Sequence, residues 1–259
     1  MSPKNPFTGT PFTKTLSIPT PDGTADAFAA FPEHGARHSA VLLYMDAFGL
    51  RAELESKARE LASHGYYVLV PNVFYRDSPT PVVELPEHID EASRPALFET
   101  LWPMIQEHTA ERALRDADAY LAFLAEQAEV DDGPVAAVGY CMGAALALRT
   151  GAARPDRVAA VAGFHPAALV TDAPDSPHHR FSAITGEIHL GLAEGDMTPE
   201  SLKALDQALT TAGHTATTEI YPGTVHGFTM SDTSAFDAEG SRRHWDRLLP
   251  LLERALGRG

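Results

Sequence analysis

Short hydrophobic runs alternate along this chain with segments whose apolar positions recur at helical spacing. Residues 40–45, 66–71 and 134–140 are continuous apolar runs, which predict strands buried on both faces. Further strands that continue the series are predicted at 158–164, 188–192 and 217–221. Helices are predicted between and after the strands, at 52–64, 96–105, 111–129, 142–150, 199–211 and 242–256.

Ahead of this series, residues 16–19 and 25–31 flank the turn signal Pro21-Asp22-Gly23 and predict a β-hairpin. The alternation that follows predicts an α/β fold, with right-handed crossovers and a mainly parallel sheet covered by helices on both faces. Because Pro and Gly are spread evenly, residues 1–259 are predicted to form a single domain, with 1–15 as a segment that wraps its surface.

Composition and charge narrow the class of protein. The net charge is −15, and an acidic surface repels nucleic acid and anionic lipid, so neither is expected as a partner. A single cysteine excludes an intrachain disulfide and gives no sign of an oxidising compartment. Residues 1–20 lack the pattern of a signal peptide, and no run of eighteen apolar residues occurs, so we expect a cytoplasmic protein.

Sites on open α/β sheets lie beyond the carboxyl ends of the strands, and a nucleophile motif stands at one of these ends. Gly139-Tyr140-Cys141-Met142-Gly143 has the G-x-nucleophile-x-G spacing, with cysteine in the usual place of serine. The strand-to-helix turn is so tight that glycine is needed on both sides. The N–H of Met142, at a helix N-terminus, is positioned to stabilise an oxyanion, and this location favours a thiolate.

An aspartate and a histidine follow two later strands, in the order that a catalytic triad of this kind requires. Asp196 comes after the strand at 188–192, and His226 after the strand at 217–221. The order Cys141, Asp196, His226 matches the nucleophile, acid and base order of this hydrolase architecture. Each residue also has an ordinary structural interpretation: a buried small hydrophobe, a turn former and a loop histidine. Their coincidence at strand ends favours a catalytic triad.

These motifs give the chain its resemblance to a known family. The elbow, the stretch 43–49 (LYMDAFG), Gly195-Asp196 and the segment 226–228 (HGF) together resemble the dienelactone hydrolase family, from about residue 25 to the C-terminus. The resemblance implies an α/β-hydrolase fold of about eight strands, no cofactor, and hydrolysis of a lactone or ester through an acyl-cysteine. It implies Cys141 as nucleophile, His226 as base and Asp196 as acid, with Ala47 supplying a second oxyanion N–H.

The chain departs from the family pattern at two positions. Asp46 stands where the best-studied members have a glutamate that takes part in activating the thiol, so it is a candidate for that role or for another acid of the site, although its side chain is one methylene shorter. Met230 stands where they have an arginine that grips a substrate carboxylate. Arg94 aligns loosely with a second such arginine. Since a buried anion without its arginine is costly, we expect a less charged, more apolar ester, lactone or thioester than dienelactone.

Other residues are candidates for the rim of the site. His165 follows the strand at 158–164 and is either a pocket residue or a hydrogen-bonded loop histidine. Phe48 and Phe228, with Tyr75 and Trp102, are candidates for an apolar pocket, although aromatic residues more often lie in the core. The segment 171–182 is either a flap over the site or an exposed loop. None of the twelve histidines forms a metal-binding pattern, so no metal is predicted.

Three functions remain open on sequence alone. The first is a cysteine-dependent hydrolase of a small ester or lactone, acting as a monomer or homodimer. The second uses the same acyl-enzyme without water, for acyl transfer, isomerisation or cyclisation in a biosynthetic pathway. The third is a degenerate hydrolase that binds a ligand without turning it over.

Overall fold

The structure is a computed structural model that describes residues 9–33, 35–213 and 216–257. It begins with the predicted hairpin, in which β1 (Phe12–Thr20) pairs antiparallel with β2 (Gly23–Phe31). Residues 12–15, predicted as part of a surface-wrapping segment, belong instead to β1, where β-branched and aromatic side chains favour a strand. Residues 1–8 of that segment lie outside the described residues.

Six further strands continue the sheet in the positions expected from the hydrophobic runs. They are β3 (Ala40–Tyr44), β4 (Tyr67–Pro71), β5 (Val135–Tyr140), β6 (Val158–Phe164), β7 (Glu187–Ala193) and β8 (Ala216–Tyr221). The order across the sheet is β1-β2-β4-β3-β5-β6-β7-β8, and every pair from β4 to β8 is parallel. This confirms the predicted α/β class, with a mainly parallel sheet of eight strands.

Within the described ranges, six α-helices accompany the sheet. They are α1 (Ala52–Ser63), α2 (Arg94–Glu107), α3 (Ala110–Ala125), α4 (Met142–Ala153), α5 (Pro199–Ala212) and α6 (Ala238–Leu256). Helix α6 starts four residues earlier than predicted because the Asp237 carboxylate caps it by accepting a hydrogen bond from the N–H of Gly240 (2.6 Å). Helix α3 is shorter than predicted and ends at Ala125. None of the helices in the described part of the chain is long and apolar enough to cross a membrane.

The segment 171–182 leads into a short helix that packs against two longer helices. Its second half enters a 3-10 helix, Pro177–Ala183, that contacts α4 and α5. Pro177 and Phe181 are buried there. The segment therefore serves as a structural connection between β6 and β7.

Among the residues that the structure describes, three histidines are buried inside the sheet and its helices. His165 and His244 are completely buried, and His189 on β7 is 4% exposed. Burial, only partly opposed by the negative charge of Glu219, lowers the pKa of His189 to about 4. The folded protein thus keeps this imidazole neutral at a pH where the unfolded chain would protonate it.

We predict that His189→Leu weakens the acid sensitivity of the fold. Below about pH 6.5 the unfolded chain takes up a proton that folded His189 does not, so its presence lowers the free energy of unfolding as the pH falls. Relative to wild type, the variant should gain about 2 kcal/mol between about pH 7 and pH 5. Urea unfolding at each pH measures the difference.

The control is His88→Leu, which removes an exposed histidine and leaves His189 in place, so its slope should stay steeper than that of His189→Leu. Equal slopes for His189→Leu and wild type would mean that folded His189 takes up the proton normally.

Candidate active site

The turn from β5 into α4 is built on two glycines and one strained residue. Cys141 joins the strand to the helix with φ of +54°, a left-handed conformation that is unusual for a residue with a side chain. A Cβ on Gly139 would lie 2.0 Å from the carbonyl oxygen of Gly143, and one on Gly143 would lie 2.4 Å from that of Met45. Only hydrogen fits at these positions, so the thiol stands at the carboxyl end of β5.

The backbone around Cys141 is held by the neighbouring strand and loop. Its N–H donates to the carbonyl oxygen of Phe164 at the end of β6 (3.1 Å), and its own carbonyl accepts from the N–H of Ala167 (3.1 Å). Met142 is the first residue of α4. The N–H groups of a first helical turn have no intrahelical partner, so that of Met142 is available to an oxyanion beside the thiol.

The three residues predicted as a triad come together at this edge of the sheet. His226 Nδ1 lies 2.8 Å from Asp196 Oδ1, while Asp196 Oδ2 accepts the N–H of Ala193 (2.8 Å). Asp196 is buried, and His226 is about one-third exposed (35%). Burial lowers the pKa of His226, but hydrogen bonds to Asp196 and Cys141 outweigh it and raise this pKa to about 10. The arrangement favours a proton on the imidazole beside the sulfur.

A narrow cavity of about 20 Å³ lies over Cys141, enough for about one water molecule. Its lining consists of Asp46, Ala47, Phe48, Arg94, Phe98, Cys141, His165, His226, Gly227, Met230 and Thr233. A larger cavity of about 350 Å³ is lined by residues such as Ser39 and Tyr66, which precede β3 and β4 at the opposite edge of the sheet. Because the nucleophile motif lies at the smaller one, we take that as the candidate site.

The cavity lining includes two aromatic rings and one cation. The rings of Phe48 and Phe98 meet edge to face with centroids 5.5 Å apart, and the guanidinium of Arg94 lies 5.8 Å from the centroid of Phe48. Met230 is almost completely buried beside them. Sequence reasoning missed Phe98, although it lies one helical turn after Arg94 on α2, a spacing that puts both on one face.

Some predicted pocket residues lie elsewhere. Phe228 is fully buried and packs against Tyr221 (5.0 Å between centroids) and His165 (5.4 Å), so it supports the pocket from behind and does not line it. Tyr75 donates a hydrogen bond to Asp116, and Trp102 is 53% exposed on α2. Neither of these two side chains lines the cavity.

His165 does line the cavity, as its position after β6 suggested. Its ring lies 5.3 Å from that of His226, and its Nε2 is 2.8 Å from the hydroxyl of Thr229. Burial, reinforced by the neighbouring His226 and Lys57, holds the pKa of His165 well below its usual value. His165 is therefore a neutral wall of the site.

Asp46, for which the sequence left open a thiol-activating role or that of another acid of the site, pairs with an arginine. Both of its oxygens accept hydrogen bonds from the guanidinium of Arg51, Oδ1 at 2.7 Å and Oδ2 at 3.0 Å. The shorter aspartate side chain thus ends in an ion pair at the start of α1. Within the described residues, no group of three or more His, Cys, Asp or Glu side chains is arranged to hold a metal ion.

The chain is similar to a known protein family and to named bacterial proteins. The model of the dienelactone hydrolase family matches residues 25–256. Two similar bacterial proteins bear the name "Putative carboxymethylenebutenolidase". The one from Methylorubrum extorquens is 23% identical, over 90% of this chain and 78% of its own length. The one from Synechocystis sp. is 22% identical, over 94% and 97%.

A solved structure shows the same fold. The crystal structure of a "Putative Dienelactone Hydrolase" from Klebsiella pneumoniae aligns with a TM-score of 0.82 at 19% identity. The alignment covers 95% of this chain and all of the other.

We predict that Gly143→Ala disrupts the elbow. The added methyl group would meet the backbone carbonyls of Met45 and Tyr44 at 2.4 and 2.7 Å, and backbone atoms cannot rotate away. We expect a loss of about 3 kcal/mol or more in the free energy of unfolding, measured by urea denaturation.

Gly213→Ala, at the left-handed end of α5, is the control because its methyl group meets no atom within 4 Å. It should cost about 1–2 kcal/mol through backbone strain alone. An equal or smaller loss for Gly143→Ala would show that the elbow tolerates a side chain.

Proposed function

Because this chain belongs to the dienelactone hydrolase family, and is therefore a hydrolase acting on ester bonds, we propose that it cleaves a small lactone or ester through an acyl intermediate on Cys141. The observation that carries the proposal is the meeting of Cys141 and His226 in the lining of one cavity, with His226 Nδ1 2.8 Å from Asp196 Oδ1. It supplies a nucleophile, a base and a group that orients the base.

The first step is transfer of the thiol proton to His226. The pKa of about 10 for His226 favours the imidazolium at neutral pH, and Asp196 stabilises that charge through the 2.8 Å hydrogen bond to Nδ1. A thiolate at the start of α4 also gains from the positive end of the helix. Cys141 is thus prepared to attack a carbonyl carbon.

Attack forms a sulfur–carbon bond and moves an electron pair onto the carbonyl oxygen. The N–H groups of Met142 and Ala47 are the proposed donors to that oxyanion. Its collapse breaks the ester carbon–oxygen bond, and His226 gives its proton to the leaving alkoxide. In a lactone, the leaving alcohol stays attached to the acyl group. Water, deprotonated by His226, then releases the acid and restores the thiol.

The lining of the cavity limits the substrate. Phe48, Phe98 and Met230 present apolar surface, and the cavity of about 20 Å³ must widen to admit any acyl group. A small, mainly apolar ester or lactone fits this surface. Arg94, for which no ion pair occurs within the described residues, is placed to bond one polar group of the substrate at the mouth of the cavity.

We predict that Cys141→Ala abolishes hydrolysis of p-nitrophenyl acetate while leaving thermal unfolding nearly unchanged. Wild-type protein quenched in acid during turnover should carry one added acetyl mass, located on Cys141 by peptide mass spectrometry. His226→Gln should fold normally and lose at least about a hundredfold in acylation rate, because no base remains. Full activity in Cys141→Ala would refute the nucleophile assignment.

The same experiment separates the rival functions. An acetyl-enzyme that persists in water but transfers rapidly to an added alcohol or thiol would indicate an acyltransferase. A protein that gains no acyl mass from any of a panel of esters, lactones and thioesters would be a binding protein with a hydrolase fold.

We also predict that Arg94→Met discriminates between substrates. With mono-p-nitrophenyl succinate, whose free carboxylate can pair with the guanidinium, KM should rise about tenfold. With neutral p-nitrophenyl acetate it should change less than about twofold, since no ion pair is lost.

The control is Arg112→Met, an arginine at the start of α3 that bonds Glu107 and does not line the cavity. It should leave KM for both esters unchanged. Equal effects of Arg94→Met on the two esters would show that Arg94 does not contact the substrate carboxylate.

A further inference from the structure

The guanidinium of Arg51 uses all five of its N–H donors. Nη1 donates to Asp46 Oδ1 (2.7 Å) and to the carbonyl of Gly49 (3.2 Å), and Nη2 donates to Asp46 Oδ2 (3.0 Å) and Asp232 Oδ1 (3.1 Å). Nε donates to Asp232 Oδ2 (2.6 Å). The side chain is only 9% exposed, so these bonds lie largely out of water. Such paired, shielded bonds fix geometry on both sides of the arginine.

On one side, the arginine holds the loop that contains Ala47. Asp46 Oδ1 also accepts the N–H of Phe48 (3.0 Å), and the carbonyl of Asp46 accepts the N–H of Gly49 (3.2 Å). These bonds close residues 46–49 into a tight turn. The direction of the N–H of Ala47 therefore depends on where Arg51 holds the Asp46 carboxylate.

On the other side, the arginine holds the loop that carries His226. Asp232 lies six residues after His226, and two side chains of α1, which begins directly after Arg51, bond the residues between them. Glu53 accepts a hydrogen bond from the hydroxyl of Ser231, and Lys57 donates to the carbonyl of Thr229 (2.7 Å). Of the three contacts made by Arg51, Glu53 and Lys57, that of Arg51 alone extends to the turn 46–49.

We infer that Arg51 is a positioning residue that sets the turn 46–49 against the histidine loop, so that the N–H of Ala47 faces the oxyanion formed at Cys141. The inference rests on the proposed function. It assigns Asp46 to the support of this turn rather than to the thiol, because moving either oxygen towards sulfur would break its bonds to Arg51. Removal of the arginine would also leave two carboxylates facing each other in a poorly hydrated site.

The test compares two reactions of the same sulfur. Acylation by p-nitrophenyl acetate builds an oxyanion, whereas alkylation by iodoacetamide displaces iodide and builds none. Arg51→Met should lower the acylation rate about tenfold to a hundredfold, as expected when an oxyanion donor is misplaced. The alkylation rate should stay within about twofold of the wild-type rate, and its pH profile should keep the wild-type shape. Both follow because Asp196, Glu53 and Lys57 still hold His226 and its loop.

Arg76→Met is the matched control. Arg76 also lies between two aspartates, Asp22 and Asp116, with bonds of 2.7 Å to each, but at the hairpin end of the sheet. Its loss should lower thermal stability and leave both rates unchanged. Arg51→Lys, which keeps the charge without the fork, should recover part of the acylation rate.

The outcomes are distinct. A parallel fall in acylation and alkylation would show that Arg51 and Asp46 act on the thiol, and unchanged acylation would show that the turn needs no arginine; either result overturns the inference. If Arg51→Met does not fold, Asp46→Asn is measured in the same way and judged by the same criteria. A wild-type protein that gains no acetyl mass on Cys141 overturns the proposed function itself, and the assignment of Arg51 with it.

Discussion

The turn from β5 into α4 is so closely packed that neither Gly139 nor Gly143 could carry a Cβ atom. The start of α4 approaches the end of β5 and the carbonyls of Tyr44 and Met45 at distances that exclude a methyl group. This contact fixes the sulfur of Cys141 relative to the end of β3, and hence to the turn 46–49. The other parts of the site, His226 after β8 and Asp196 after β7, are brought to the same edge by the parallel sheet.

Much of this arrangement could be predicted from the sequence, because local patterns and chain order specify it. Continuous apolar runs predicted the buried parallel strands, and the two glycines of the elbow predicted the tight strand-to-helix turn that carries Cys141. The predicted ends of helices and strands were less accurate where a single side chain determines the end, as the capping residue Asp237 does at the start of α6. The N-terminal hairpin also extends further than its turn signal indicated, since an edge strand has little hydrophobic patterning.

The contacts that the sequence could not predict join residues far apart in the chain. Arg51 and Asp232 are 181 positions apart, so no motif connects them, and the partner of Asp46 became clear only in three dimensions. The sequence also did not predict which way individual side chains point. Phe228 lies two residues after His226 but packs into the core, whereas Phe98 on α2 faces the cavity. The motifs therefore predicted the turn at Cys141 better than they predicted the side chains around it.

The lone cysteine carries a chemical liability as well as a proposed role. A thiolate is readily oxidised to a sulfenic acid, which many proteins protect by forming a disulfide with a second cysteine. This chain has no second cysteine to do so. The confined space over Cys141 admits a molecule the size of peroxide more easily than a bulky thiol such as glutathione. Oxidation of this sulfur would thus be faster than its reduction by a bulky thiol. During aerobic purification without a small reducing agent, protein with an oxidised Cys141 would accumulate.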